Sequence, residues 1–147
     1  MNGLAAAAVL LGLVVVATAA GLVWRARTGR ARRMTGGRTI AASDVGADAF
    51  GTGATLLQFS TEFCAPCRST ARVLGEIGST TDGVEHVEID LTDRPDLAGR
   101  FGILQTPTTF VLDAAGAVHA RIGGAVRADE VRSALDDLLG RDRVRTD

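Results

Sequence analysis

Cys64 and Cys67 are the whole thiol content of the 147-residue chain, set in the run Phe63-Cys64-Ala65-Pro66-Cys67. A loop that short constrains almost nothing in an unfolded chain, so the pair does not serve as a structural staple. Redox exchange, metal binding or mere coincidence remain. A tetrahedral zinc site needs two further ligands. The only histidines are His86 and His119, and they form no ligand-like pair. His86 falls on the polar side of a strand and His119 beside a hairpin, so both read as surface residues. Two thiolates alone hold Cu(I). A non-enzymatic copper-handling or redox-sensing adaptor is therefore the alternative to dithiol–disulfide exchange. No metal or other cofactor is expected.

Position separates the two sulfurs. Thr55-Leu56-Leu57-Gln58-Phe59 is a short apolar run suited to a buried strand, and a helix is expected from Pro66 to about Ser79. Cys64 then sits at the helix N-terminus, where unpaired N–H groups and the macrodipole favour thiolate over thiol. Such settings bring a thiol from about 8.5 to roughly 3.5–7.5. Cys64 is the candidate nucleophile. Cys67 lies one turn deeper, on the face shared by Ala71, Leu74 and Gly78, and suits the resolving role. Pro66 fixes the first turn without removing a needed hydrogen bond.

Other elements must hold this junction in place. Val84 to Leu91 alternates, with Val87, Ile89 and Leu91 on one face and His86, Glu88 and Asp90 on the other. Thr108 to Leu112 and Val118 to Ile122 are two further strands, joined by the tight turn Asp113-Ala114-Ala115-Gly116. A short helix is expected near Ser43 or Asp44, which are candidate N-caps. Another spans Pro95 to Phe101, and a closing helix from Asp129 to Leu139 places Val131, Leu135 and Leu138 on one stripe. The order is strand, helix, strand, helix, strand, strand, helix: an α/β architecture with parallel pairing followed by an antiparallel hairpin.

The N-terminal part is of another kind. Leu4 to Trp24 contains no charged side chain. As a helix these residues rise about 31 Å, which matches a hydrocarbon core of about 30 Å. The run is longer than a signal-peptide core and has no basic residue before it, so an uncleaved anchor over residues 1–27 is expected. Six arginines follow between Arg25 and Arg38, with no acid among them. From Thr39 onward, 17 acids face 10 arginines, a charge of -7. Basic residues flanking a span stay cytoplasmic, which predicts a single-pass cell-membrane protein with its domain on the cytoplasmic face; the extracytoplasmic side is the alternative. The collar reads as a feature of the lipid surface, and no nucleic-acid partner is expected. Residues 28–40 read as a Gly/Arg linker, 41–140 as one domain and 141–147 as a charged tail.

With these residues in view, the segment from Ala41 to Gly140 resembles the thioredoxin family. The matching residues are the Leu56–Phe59 strand, Glu62 to Arg68, Ile89-Asp90, Phe101-Gly102-Ile103, Thr106-Pro107-Thr108, Gly116 and Gly123. With its anchor, the chain looks most like bacterial membrane-bound thioredoxin-like proteins of the TlpA type. The resemblance implies a thioredoxin-like fold, a mixed sheet flanked by helices, and a thiol–disulfide oxidoreductase that reduces protein disulfides. It implies an upstream electron donor such as a thioredoxin reductase or a membrane thiol carrier. It also implies a cis peptide before Pro107, with Phe63, Pro66, Thr106, Pro107 and Gly123 facing the substrate. Three departures stand out. Phe63 replaces the usual tryptophan, Ala65 precedes Pro66 where glycine is usual, and Gln58 replaces the buried acid beneath the second cysteine. His86 matches the lysine that partners that acid. Gln58 is expected to fill space and hydrogen-bond beneath Cys67, leaving proton removal to another base such as Glu62.

Overall fold

The computed structural model describes residues 3–34 and 38–146. The elements are α1 (Gly3–Arg27), β1 (Ala31–Arg33), α2 (Ala42–Val45), β2 (Ala54–Ser60), α3 (Ala65–Thr80), β3 (Val84–Asp90), α4 (Pro95–Phe101), β4 (Thr108–Asp113), β5 (Val118–Gly123) and α5 (Ala128–Thr146). The strands form one sheet in the order β1-β5-β4-β2-β3. β2 and β3 are parallel and joined through α3, as a crossover requires. All other neighbours are antiparallel. The mixed sheet flanked by helices that the resemblance implies is present.

Every residue of β2 is buried, so its alternation feeds two cores. Ala54 and Leu56 pack with Leu74 and Ile77 of α3 and with Val131, Leu135 and Leu138 of α5. Leu57 and Phe59 pack on the other face with Leu97 and Phe101 of α4 and Phe110 of β4. The Phe59 ring meets Phe101 at 5.6 Å and Phe110 edge-on at 5.3 Å. Gln58 therefore falls on the α3 side, beside Leu56. Helix α1 stands apart from both cores, its apolar side chains exposed. Among the described residues it is the one helix long and apolar enough to cross a membrane.

The largest difference from expectation concerns the stretch read as a linker. Ala31–Arg33 forms an edge strand on β5, and Thr39 makes a further bridge to Ala117. The Ala31 N–H donates to the Glu130 carboxylate, and Arg33 pairs with Asp137, so the strand is also tied to α5. Three residues with mostly exposed side chains carry no apolar alternation, and charged side chains suit a sheet edge. Backbone pairing, which composition does not reveal, makes this strand.

Smaller shifts have local causes. Helix α2 begins after Ala41, and Asp44 is not its N-cap: its carboxylate accepts the Ala41 N–H at 2.9 Å from within the first turn. The buried face of α3 is Cys67, Thr70, Leu74 and Ile77, one residue round from the expected Ala71 and Gly78, which are half-buried. α5 continues to Thr146 past Gly140, since Gly costs only about 1 kcal/mol in a helix and no proline follows. Residues 1–2, 35–37 and 147 lie outside the described residues. Phe59→Ala is expected to cost about 3–5 kcal/mol, read from the urea midpoint, because it empties the centre of one core five residues before Cys64. A loss under about 1 kcal/mol would contradict that packing.

Candidate active site

β2 ends at Ser60 and α3 starts at Ala65, so the chain passes from sheet to helix in one short turn. Cys64 is the N-cap, in extended conformation, and its carbonyl accepts the Cys67 N–H at 3.1 Å. Pro66 occupies the first turn, where its missing N–H is not needed. The two cysteines form a disulfide with their Cα atoms 5.2 Å apart. Cys64 is 8% exposed and Cys67 only 2%. The surrounding rim is open: Phe63 is 92% exposed, and Ala65 and Pro66 are also exposed. Both cysteines are buried, and the place of Cys64 at the helix N-terminus beside the open rim favours it as the attacking sulfur.

Beneath the disulfide a polar row runs from the buried Gln58 outward to the half-buried His86 and the exposed Glu88. Gln58 is fully buried, and its Nε2 donates to the Cys67 carbonyl at 3.0 Å and to Glu88 Oε1 at 3.3 Å. His86 Nε2 lies 3.1 Å from Gln58 Oε1. Because the amide nitrogen of Gln58 faces two acceptors, its oxygen must accept, and His86 must carry its proton on Nε2. Three of the four hydrogen bonds open to a glutamine side chain are thus made, at a site where an unpaired polar group would cost about 1–3 kcal/mol. The register pairs Gln58 with Glu88 across the parallel strands, which sets His86 diagonally opposite.

His86 is not the surface residue that the sequence suggested. It is half-buried under the α3 face that carries Gly75 and Gly78. Burial lowers its pKa from the ordinary 6.5, against the opposing pull of Glu88 and Glu85. His119 is likewise engaged: its Nε2 pairs with Asp113 at 2.9 Å across the β4–β5 hairpin, at the far end of the sheet from Cys64. Glu62, the residue named as an alternative base, stands in the turn between β2 and α3. It is exposed, and its backbone N–H donates to the Thr92 hydroxyl. The carboxylate that joins Gln58 is that of Glu88, a residue the sequence reading left out of the site. Its signal was present: Glu88 shares the polar face of its strand with His86, and α3 covers that face.

On the opposite flank, the peptide between Thr106 and Pro107 is cis. The Thr106 hydroxyl lies 3.2 Å from that of Thr61, three residues before Cys64. Thr108 pairs with Phe59 on one side and Gly123 on the other, so Pro107 and Gly123 stand at the Cys64 end of the sheet. A Cβ on Gly123 would lie 2.6 Å from the Gln105 amide nitrogen. The close approach that glycine permits there is to a side chain of the loop before Pro107. The Gly123 carbonyl accepts the Gly29 N–H at 3.0 Å. Phe63, Pro66, Thr106, Pro107 and Gly123 thus gather at one end of the fold with the two cysteines.

A family model described as thioredoxin matches residues 48–137. The chain is 31% identical over 107 residues to the thiol:disulfide interchange protein HelX of Rhodobacter capsulatus, covering 57% of this chain and 60% of that protein. It is 32% identical over 72 residues to the thioredoxin of Bacillus subtilis, covering 48% of this chain and 69% of that one. The chain thus spans under two thirds of HelX. Among solved structures, thioredoxin NaTrxh from Nicotiana alata superposes with a TM-score of 0.52 at 25% identity, over 59% of this chain and 74% of that one. Thioredoxin f from spinach chloroplast gives 0.53 at 24% identity over 60% and 78%, a likeness of fold alone.

The lowered His86 pKa has a consequence for stability. Between 6.5 and the lower native value, the unfolded chain takes up a proton that the native chain resists, so stability falls as pH drops through that window. Urea unfolding of the wild type should weaken from about pH 7.5 to about pH 5.5 by more than that of His86→Gln. An equal or larger loss in the variant would show that His86 is not the group responsible.

Proposed function

Since this chain belongs to the thioredoxin family, we propose that it is a membrane-tethered thiol–disulfide oxidoreductase that reduces protein disulfides. The observation that carries the reading is the asymmetric pair, with Cys64 at the helix N-terminus and open rim and Cys67 buried behind it. In the reduced protein, the Cys64 thiolate attacks one sulfur of a substrate disulfide. That S–S bond breaks, one substrate thiolate leaves, and a mixed disulfide joins Cys64 to the substrate. Cys67, as thiolate, then attacks the Cys64 sulfur. The mixed disulfide breaks, the second substrate thiolate departs, and Cys64–Cys67 is left oxidised. Two electrons have moved from the pair to the substrate. A thioredoxin reductase or a membrane thiol carrier would restore the dithiol. The relative HelX is named for the same chemistry, thiol:disulfide interchange.

Phe63, Pro66, Thr106, Pro107 and Gly123 form the substrate face, with the Thr106 backbone pairing to an extended segment. Gln58 cannot act as a base. Its amide orients the Cys67 backbone and links it to His86 and Glu88. Helix α1 is the single-pass anchor. The arginines that follow it support a cytoplasmic domain. In that reducing compartment the pair would rest as a dithiol, poised to reduce.

Three measurements test this. With the full chain in detergent, insulin reduction should be abolished in both Cys64→Ser and Cys67→Ser, while only Cys67→Ser accumulates a mixed disulfide. Absence of turnover by the wild type combined with tight Cu(I) binding would replace the proposal with the adaptor reading. Gln58→Asp should raise the reduction rate roughly tenfold once the new carboxylate ionises, because a base then lies beneath Cys67. Unchanged rates across pH would show that proton removal is not governed from position 58. A reporter active only outside the cytoplasm, fused to the C-terminus, should be silent; its activity would reverse the sidedness.

A further inference from the structure

We infer that the disulfides reduced at this site are ones presented at the bilayer surface by membrane-embedded partners, and not those of freely diffusing proteins. The inference rests on the oxidoreductase reading above and adds its substrate class. Its basis is the point at which the anchor enters the sheet. β2 runs toward Cys64; β4, antiparallel to it, begins at that end, β5 ends there, and β1 begins there. The chain thus comes out of α1 at the active-site end of the domain, and β1 then leads away from it.

The connection is short and tied down. Only Thr28, Gly29 and Arg30 separate α1 from β1. Three residues span at most about 11 Å. The Thr28 N–H and hydroxyl both donate to the Trp24 carbonyl, at 3.0 and 2.9 Å, so the first of the three is still bound to the helix. The Gly29 N–H donates to Gly123, and a Cβ on Gly29 would stand 2.6 Å from the Ala125 carbonyl oxygen. A Cβ on Gly124, whose φ is +85°, would stand 2.4 Å from the Thr28 methyl. Only glycine at both positions lets the end of the anchor lie this close to the loop after β5.

That loop is part of the substrate edge. The Gly124 N–H donates to the Pro107 carbonyl at 2.8 Å, and the Val126 N–H to the Thr70 hydroxyl, one turn beyond Cys67 on α3. From the anchor to Pro107 is therefore a path of two contacts. Beside this path opens a groove of about 670 Å³ whose lining includes Trp24, Thr28, Arg30, Leu104, Gln105 and Gly123, with Leu104 93% exposed. Trp24 and Arg25 mark the level of the headgroups. The substrate edge then stands within about one short segment of the lipid surface, where only juxtamembrane disulfides are at high effective concentration.

The test uses the full chain, reduced beforehand, in vesicles of zwitterionic and anionic phospholipid. Two single-span reporter peptides carry the same disulfide loop, one directly after the span and one displaced by a Gly/Ser spacer of roughly 40 residues. The near reporter should be reduced at least about tenfold faster. A variant with a flexible insert of about 20 residues between Thr28 and Gly29 should show rates within about twofold for both reporters, while its insulin reduction in detergent matches the wild type. Equal wild-type rates on the two reporters would overturn the inference, as would a near preference that survives the insert, and both outcomes leave the oxidoreductase reading standing. Failure of insulin reduction in detergent would instead remove that reading, and the inference with it.

Discussion

Helix α3 leaves β2 across four residues, and that turn decides which cysteine caps the helix and which lies one turn inward. β2 is buried along its whole length between two cores, so its end is fixed in space. The helix that follows is fixed in turn by Leu74 and Ile77 against the sheet. With both elements immobile, Cys64 must sit at the cap and Cys67 one turn inward. The chemistry of the pair follows from that geometry: a capping sulfur faces unpaired N–H groups and open rim, while its neighbour faces the underside of the helix.

What lies under the helix is the chain's own solution. A carboxylate in place of Gln58 would have to be buried as a charge or kept neutral by a raised pKa. The amide avoids that cost, and its bonds to the Cys67 carbonyl, Glu88 and His86 leave little of it unpaired. An amide takes no proton, so Gln58 itself cannot deprotonate Cys67. The ionisable groups have moved outward by one strand, to β3, where His86 is half-buried and Glu88 exposed.

The sequence made the strongly patterned parts legible. The apolar run of β2, the cysteine spacing and Pro66 in the first turn carry local signals, while the place of Thr106-Pro107 opposite the cysteines came from the family resemblance and matches the cis peptide found there. β1 was hidden because a three-residue edge strand is made by backbone pairing and exposes its arginines. The partial burial of His86 was hidden for a related reason. A polar strand face reads as solvated, and only the crossover of α3 over that face turns it into part of the site. The entry of helix α1 at the active-site end was equally invisible, since it depends on the direction of β1 and on where Gly29 meets β5.

The asymmetry of the two sulfurs is the claim from which the mechanism descends, and alkylation of the reduced full chain measures it directly. With a substoichiometric thiol reagent at neutral pH, and peptide mapping to locate the label, Cys64 should be modified at least about tenfold faster than Cys67. Adding denaturant should bring the two rates together. Equal rates in the native protein, or faster labelling of Cys67, would contradict the account.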